Sequence, residues 1–314
     1  MIRLKNNFLL FIFTIRVHLF LFNVQKNFWL QKIELNNFLN SNGDKINTVL
    51  ISVADESNEQ GLTLSGAAKT FSQAYNKACS ELAEVIAFRD YNLNWLESRS
   101  GWAAHCSLEK AIENSYLESI ERDSLLMHIL VPKLGTYPLK PNIYTNGKKI
   151  KLVKLQSVDP NIIVILAGVN HGKGVPWILG FGASYHERDA IDKALIECIL
   201  LDESKEAFQS ETVDARLRCW NNHLKQSCDG PVRDHLESIF DGSGSLKMDH
   251  WFDCGLFKNE YVKKVGSRWV VKGLHPDLLE FKFGQLWEKE MGKSINILSR
   301  RGLEVKKWIT HPYV

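Results

Sequence analysis

The chain predicts an α/β fold, with mixed β-sheets flanked by helices, and three observations carry that expectation. Apolar strand-like runs alternate with amphipathic helical stretches. A strand, a small-residue turn and a helix bearing an acidic residue recur three times. The composition is that of an ordinary globular protein, with 45% apolar and 24% charged residues over 314 positions. A net charge of +3 is too small to argue for a nucleic-acid partner. Six cysteines are scattered with no C-x-x-C spacing, which fits reduced thiols in a cytoplasmic protein.

Residues 1–22 are strongly apolar, with basic Arg3 and Lys5 ahead of an unbroken run, and so imitate a signal peptide. Arg16 and His18 interrupt the run, and no small-residue cleavage site follows. The charge-free part is short of the ~20 residues a spanning helix needs. The expectation is a pair of buried strands or a short core helix, with no membrane contact. Residues 1–47 are read as an N-terminal segment that is part of the fold and 48–314 as the domain itself, with no boundary sharp enough to split it in two.

Residues 48–54 (TVLISVA) read as a buried strand and 55–60 as a loop. Ser65-Gly66 then leads to a helix from Ser72, with a serine cap, to about Phe88. This helix carries Glu81 and Glu84 at i and i+3. Residues 101–130 (GWAAHCSLEKAIENSYLESIERDSLLMHIL) read as a turn, a Ser107 cap and a long helix. Leu108, Ile112, Tyr116, Ile120 and Leu126 or Met127 give it an apolar face. Strands are expected over 161–168 and 176–182, joined by a hairpin turn. A third helix runs from Glu187 to about Leu201, with Ala190, Ala194, Leu195 and Cys198 inward. Residues 203–260 look polar and irregular, and 268–272 alternate like a strand.

The recurring unit has an internal rule. Ala74, Ala111 and Ala190 are each followed seven residues later by glutamate, at Glu81, Glu118 and Glu197. Seven residues are about two helical turns, so alanine and glutamate share a face. Small alanine permits close approach, and the glutamate then lies at the far end of that contact.

The candidate chemistry is carboxylate chemistry. Glu118 and Glu121 lie on one side of their helix and repel unless a positive charge sits between them. Mg²⁺ with a nucleotide is one answer, with Arg122 suited to phosphate. An ordinary solvated helix face is the other. A di-metal bundle is set aside, because no histidine follows these glutamates at the required spacing. Cys219, His223, Cys228 and Cys254 fit no regular zinc module, and a Cys106 or Cys254 nucleophile has no local signature. No residue is singled out as catalytic.

Several segments together resemble the YcaO superfamily, most closely its azoline-forming cyclodehydratases. GWAAHCSLEKAIENSYLESIERD is similar to the family's N-G-x-A-A-G-x-T-x-E-E-A…E-x-x-E-R-D. SGAAKTFSQAYNKACSELAE resembles its first ATP motif, and GFGASYHERDAIDKALIE its later Gly-Ala helix unit. WVVKGLHPDLLEFKFG and the ending ITHPYV add to the match, which runs from about residue 48 to 314. The resemblance implies a YcaO-like fold and ATP and Mg²⁺ as cofactors. It implies nucleotide binding by Glu81, Glu84, Glu118, Glu121 and Arg122, with the four glutamates also serving the metal. The implied activity is phosphorylation of a backbone amide oxygen and loss of phosphate to leave an azoline at Cys, Ser or Thr. Thioamide formation is a related product. A ribosomal precursor peptide and a leader-binding partner protein are the implied partners, in bacteriocin-type biosynthesis, with a homodimer possible. Lys77, Val85, Gly66-Ala67-Ala68, Lys110 and Asn114 depart from the family's motifs. Lys110 reverses a charge where a ligand is expected. These departures raise the alternative of a non-catalytic YcaO-like scaffold subunit.

Overall fold

The structure is a computed structural model that describes residues 2–24, 28–39, 45–55, 58–91, 100–131, 133–139, 143–145, 148–172, 177–204, 231–248, 253–280 and 285–305. The described residues form helices and three small antiparallel sheets, so the α/β expectation of sheets flanked by helices holds. The chain divides into two compact units. Unit 1 comprises 1–93, 102–115 and 259–272; unit 2 comprises 94–101, 116–258 and 273–314.

Unit 1 begins with helix α1 (Ile2–Val24). The apolar N-terminus is therefore one 23-residue helix, longer than a short core helix and not a pair of strands. Phe13, Val17, Phe20 and Leu21 are buried, and the Phe13 ring stacks on Tyr75 at 4.4 Å. Among the described residues no helix is long and apolar enough to cross a membrane. Strands β1 (Phe28–Leu39), β2 (Lys45–Asp55) and β3 (Asn58–Ala68) make an antiparallel sheet in that order. Val49, Ile51 and Val53 alternate inward on β2, the period expected of a strand with one face on the core. β3 occupies residues read from sequence as a loop and a turn, so Ser65-Gly66 lies inside a strand.

Helix α2 (Phe71–Asp90) follows, capped by Thr70, whose hydroxyl accepts the Gln73 amide; the cap lies two residues before the expected Ser72, which falls inside the helix. It lies directly on β3. A Cβ at Gly66 would overlap the Ala74 carbonyl oxygen and the Ala78 amide, so glycine on the strand and alanine on the helix permit the contact. Ala74, Ala78 and Leu82 are fully buried beneath it, and burying one such leucine contributes about 1.5–3 kcal/mol. Strands β4 (Trp102–His105), β10 (Lys258–Val265) and β11 (Arg268–Leu274) form a second sheet, in the order β10-β11-β4.

Helix α3 (Leu108–Leu130) starts at the expected Ser107 cap, whose Oγ accepts the Lys110 amide at 3.4 Å. Its residues from Tyr116 onward belong to unit 2. Strands β5 (Tyr137–Pro138), β6 (Ile143–Thr145), β7 (Lys148–Leu155), β8 (Ile163–Val169) and β9 (Ile178–Ser184) build the third sheet. β8 and β9 form the expected hairpin, pairing Ile165 with Gly182. Helix α4 (Glu187–Ser204) buries Ala190, Ala194, Leu195 and Cys198 as expected. Gly182 meets the Ala190 carbonyl as Gly66 meets Ala74. Helices α5 (Pro231–Asp241) and α6 (Gln285–Arg300) complete the unit, α5 falling in a stretch read as irregular.

Two buried histidines tie unit 2 together. His128 Nδ1 lies 2.7 Å from the Ser124 carbonyl, and its Nε2 accepts the Gln156 amide at 3.2 Å. That arrangement requires the neutral ring. Burial lowers the His128 pKa to about 4. His235 Nε2 in turn donates to the His128 carbonyl at 2.9 Å. Between the ordinary histidine pKa of about 6.5 and the lowered value, the unfolded chain takes up a proton that the folded chain refuses. Stability contributed by neutral His128 is therefore complete above that window and falls as pH drops through it, by about 1.4 kcal/mol per pH unit. Urea unfolding at several pH values measures the slope, and His128→Gln, which keeps a donor and an acceptor without a titrating ring, is expected to flatten it.

Candidate active site

In unit 1 the two glutamates of α2 each grip the edge of a strand. Glu81 Oε2 accepts the Ser65 amide of β3 at 2.8 Å. Glu84 Oε1 accepts the Ala104 amide of β4 at 2.8 Å. β3 and β4 are each the last strand of their sheets, so these amides have no strand beside them among the described residues. A carboxylate on a backbone N–H is a charge-assisted bond, roughly twice as strong as a neutral one.

Unit 2 repeats the device. Glu197 of α4 accepts the Phe181 amide of β9 at 2.6 Å, sixteen residues back along the chain, the same separation as Glu81 from Ser65. The amide of Ala183, two residues further along the same strand, faces Glu121 of α3 closely enough to help pull its carboxyl pKa down. β9 is the last strand of its sheet. In two of its three copies the recurring unit read from the sequence therefore has a physical basis: Glu81 and Glu197 reach the exposed amides of the strands beside them, while Glu118 lies 3.9 Å from Arg122.

Arg122 sits among these carboxylates. Its Nε lies 3.9 Å from Glu118 Oε1, its Nη2 lies 3.8 Å from Glu121 Oε1, and its guanidinium stands 5.5 Å from the centre of the Phe181 ring. Both ion-pair separations exceed hydrogen-bond length. Nη1 is buried and has no hydrogen-bond partner. Burial opposes the charge on Arg122, but Glu121, Glu197 and Glu118 outweigh it and hold the guanidinium more firmly protonated than usual. Burial pushes the Glu121 carboxyl up, while Arg122, Lys193 and the Ala183 amide pull it down. A buried guanidinium with an unmatched donor is an incomplete anion site, and a phosphate oxygen is the kind of acceptor that completes it.

Glu118, Glu121 and Arg122 are thus brought together in unit 2, as their spacing suggested, while Glu81 and Glu84 lie together on α2 in unit 1. Glu197 was visible only as a member of the repeat, and Phe181 and Lys193 carried no sequence signal of a site. Lys193 Nζ donates to the Ala183 carbonyl at 2.8 Å. Asp123, next to Arg122, has a structural part. It is fully buried and binds Arg301 through both oxygens, at 2.9 and 3.0 Å, and accepts the Leu279 amide at 2.8 Å.

The departing residues are also placed. Lys110 is exposed and bonds Glu113 at 2.5 Å on the surface of α3. Val85 is packed in the core of unit 1. Cys106 is exposed, with Sγ 3.7 Å from His105 Nδ1, and Cys79, Cys106, Cys198 and Cys254 are free thiols. Among the described residues no group of three or more His, Cys, Asp or Glu is arranged to hold a metal ion. Cys219, His223 and Cys228 lie outside the described residues.

Comparison with known proteins decides the family. The family model described as YcaO cyclodehydratase, ATP- and Mg²⁺-binding, matches residues 90–260, more than half of the chain. The chain belongs to the YcaO family. No curated protein matches. Solved structures share the fold at low identity. A YcaO protein from Methanopyrus kandleri bound with AMPPCP and Mg²⁺ matches at TM-score 0.53 and 15% identity, over 83% of this chain and 88% of that one. The E. coli microcin synthetase McbBCD complex gives 0.53 and 15%, over 80% and 88%. A heterocyclase in complex with substrate and cofactor gives 0.55 and 15%, over 88% of this chain and 53% of that one. The YcaO family is one of ATP-dependent cyclodehydratases, with ATP and Mg²⁺ as its cofactors.

In this YcaO protein the Asp123–Arg301 pair has a measurable weight. Asp123→Ala leaves a buried guanidinium uncompensated and is expected to cost about 3–5 kcal/mol. Pairing it with Arg301→Met removes the stranded charge and restores part of that loss, as a double-mutant cycle by chemical denaturation would report.

Proposed function

We propose that the protein is an ATP-dependent cyclodehydratase that activates backbone amides of a ribosomal precursor peptide and converts Cys, Ser or Thr to azoline. The observation that carries this reading is Arg122, with its buried and unpartnered Nη1 and three glutamates around it.

The residues fit the two cofactors in different ways. Arg122 offers phosphate a fixed, permanently charged donor. The lack of a ready metal cage among the described residues suits Mg²⁺, which keeps waters and is commonly held by one or two carboxylates together with substrate phosphates. By the family's motifs, Glu81 and Glu84 of α2 and Glu118 and Glu121 of α3 are the nucleotide and metal carboxylates, and Arg122 faces phosphate. ATP supplies the phosphoryl group that turns an amide oxygen into a leaving group. The contribution of Arg122 is a positive charge already in place where negative charge develops, held by neighbours that need not reorganise.

The partners follow from the same reading. A precursor peptide is the substrate, and a second protein holds its leader. A relative solved as a complex with pro-MccB17 bound supports this assignment. The cytoplasm is the compartment that supplies ATP and reduced cysteine to such a reaction.

A second reading is a YcaO-like subunit that supports an active partner without turning over ATP. Two placements favour it. Val85 is buried where the family motif has arginine, and Lys110 is engaged with Glu113 where the motif has an acidic residue.

Titration with a non-hydrolysable Mg²⁺-nucleotide separates the two. The enzyme reading expects saturable binding, weakened at least tenfold by Glu118→Ala with Glu121→Ala, and by Arg122→Gln, in proteins that keep their thermal unfolding midpoint. No saturable binding, or binding indifferent to these changes, leaves the scaffold reading standing. Mass spectrometry of the peptide product then reads loss of one water per ring, against replacement of oxygen by sulfur for a thioamide.

A further inference from the structure

Phe181 is the aromatic partner of Arg122, and β9 fixes where its ring stands. Successive residues of a strand face opposite sides. Gly180 and Gly182 face α4, where an added Cβ would strike the Ala194 and Ala190 carbonyl oxygens, so Phe181 projects to the other side. There its ring meets the guanidinium of Arg122 on α3, 5.5 Å from the ring centre. The Phe181 amide is bound by Glu197 at 2.6 Å, the strand pairing sets the residue opposite Leu166, and only 3% of it is exposed. Backbone, strand and core together hold the ring still.

Arg122 is a buried cation with two carboxylates close at hand. A guanidinium in that position ordinarily closes on a carboxylate, at N–O distances of about 2.7–2.9 Å. Here the separations are 3.9 Å to Glu118 and 3.8 Å to Glu121, and Nη1 has no partner. The guanidinium forgoes a close ion pair and stands on the face of a ring instead. A desolvated aromatic face attracts a guanidinium through its quadrupole. Phenylalanine also carries no polar atom that would occupy the arginine's donors.

We propose that Phe181 is a positioning residue: its ring holds the Arg122 guanidinium off Glu118 and Glu121, which keeps the arginine's donors for phosphate. Without that hold the guanidinium turns to a carboxylate and forms an ordinary salt bridge, which an arriving phosphate has to break. This deepens the nucleotide reading and rests on it for the identity of the anion, whereas the placement of the guanidinium is measured without any ligand.

Fluorinated phenylalanines at position 181 test the ring directly, because successive fluorines drain negative charge from its face and leave its shape nearly unchanged. Binding of inorganic pyrophosphate, measured by calorimetry in metal-free buffer, is expected to weaken with each added fluorine. The trifluoro protein should bind at least fivefold more weakly than wild type while keeping its thermal unfolding midpoint. A phenylalanine that served packing alone would give one affinity across the series, and that result overturns the proposal. Adding Glu118→Gln with Glu121→Gln removes the competing charges and should shrink the steps; undiminished steps also overturn it. The ligand-free protein supplies a second readout. The Arg122 Nε–H resonance, identified by its loss in Arg122→Lys, is expected to move downfield along the series as the nitrogen closes on Glu118, and a stationary resonance overturns the proposal. Should the wild type bind no pyrophosphate, that result counts against the proposed function, and the resonance decides the role of Phe181 by itself.

Discussion

A glutamate accepting the backbone amide of an edge strand is the interaction on which the rest of this structure depends. β3, β4 and β9 each end a sheet, and each would otherwise present unpaired amides at an edge. Glu81, Glu84 and Glu197 take up those amides from helices lying alongside. The contact is short because glycine on the strand faces alanine on the helix, as at Gly66 with Ala74 and Gly182 with Ala190. One local pattern thus sets strand spacing, helix placement and the position of the charged groups.

The same pattern gathers negative charge, which has to be balanced. In unit 2 the balance comes from Arg122 and Lys193, set on two different helices. Arg122 is held by several weak ion pairs and an aromatic face, so no single partner satisfies it. That leaves a rigid cation with a spare donor, the arrangement that recognises phosphate with little reorganisation. Asp123, by contrast, is consumed by Arg301 and serves the fold.

Much of the helical part was legible in the sequence because its signals are local. Ser107 caps α3 as its hydroxyl and position suggest, and the inward residues of α4 follow the helical period. β3 was missed for a reason that belongs to tertiary structure. Ser65-Gly66-Ala67-Ala68 looks like a turn, and only the helix resting on it explains why small residues stand in a strand. β10 (KNEYVKKV) was missed because most of its side chains are solvent-exposed and its pattern is polar. At the site, Glu118, Glu121 and Arg122 were readable from spacing along one helix. Lys193 was not, since its partner lies on a neighbouring strand, and Arg301 finds Asp123 only across 178 positions of chain.

The edge-capping role changes what the survival of these glutamates means. A family member that has lost its chemistry still has strand edges to close, and replacing Glu81 or Glu197 would strand a backbone amide. Architecture alone can therefore preserve the acidic signature in a pseudoenzyme. The more telling letters are those the architecture does not need, and among them is the arginine whose third nitrogen has nothing to hold.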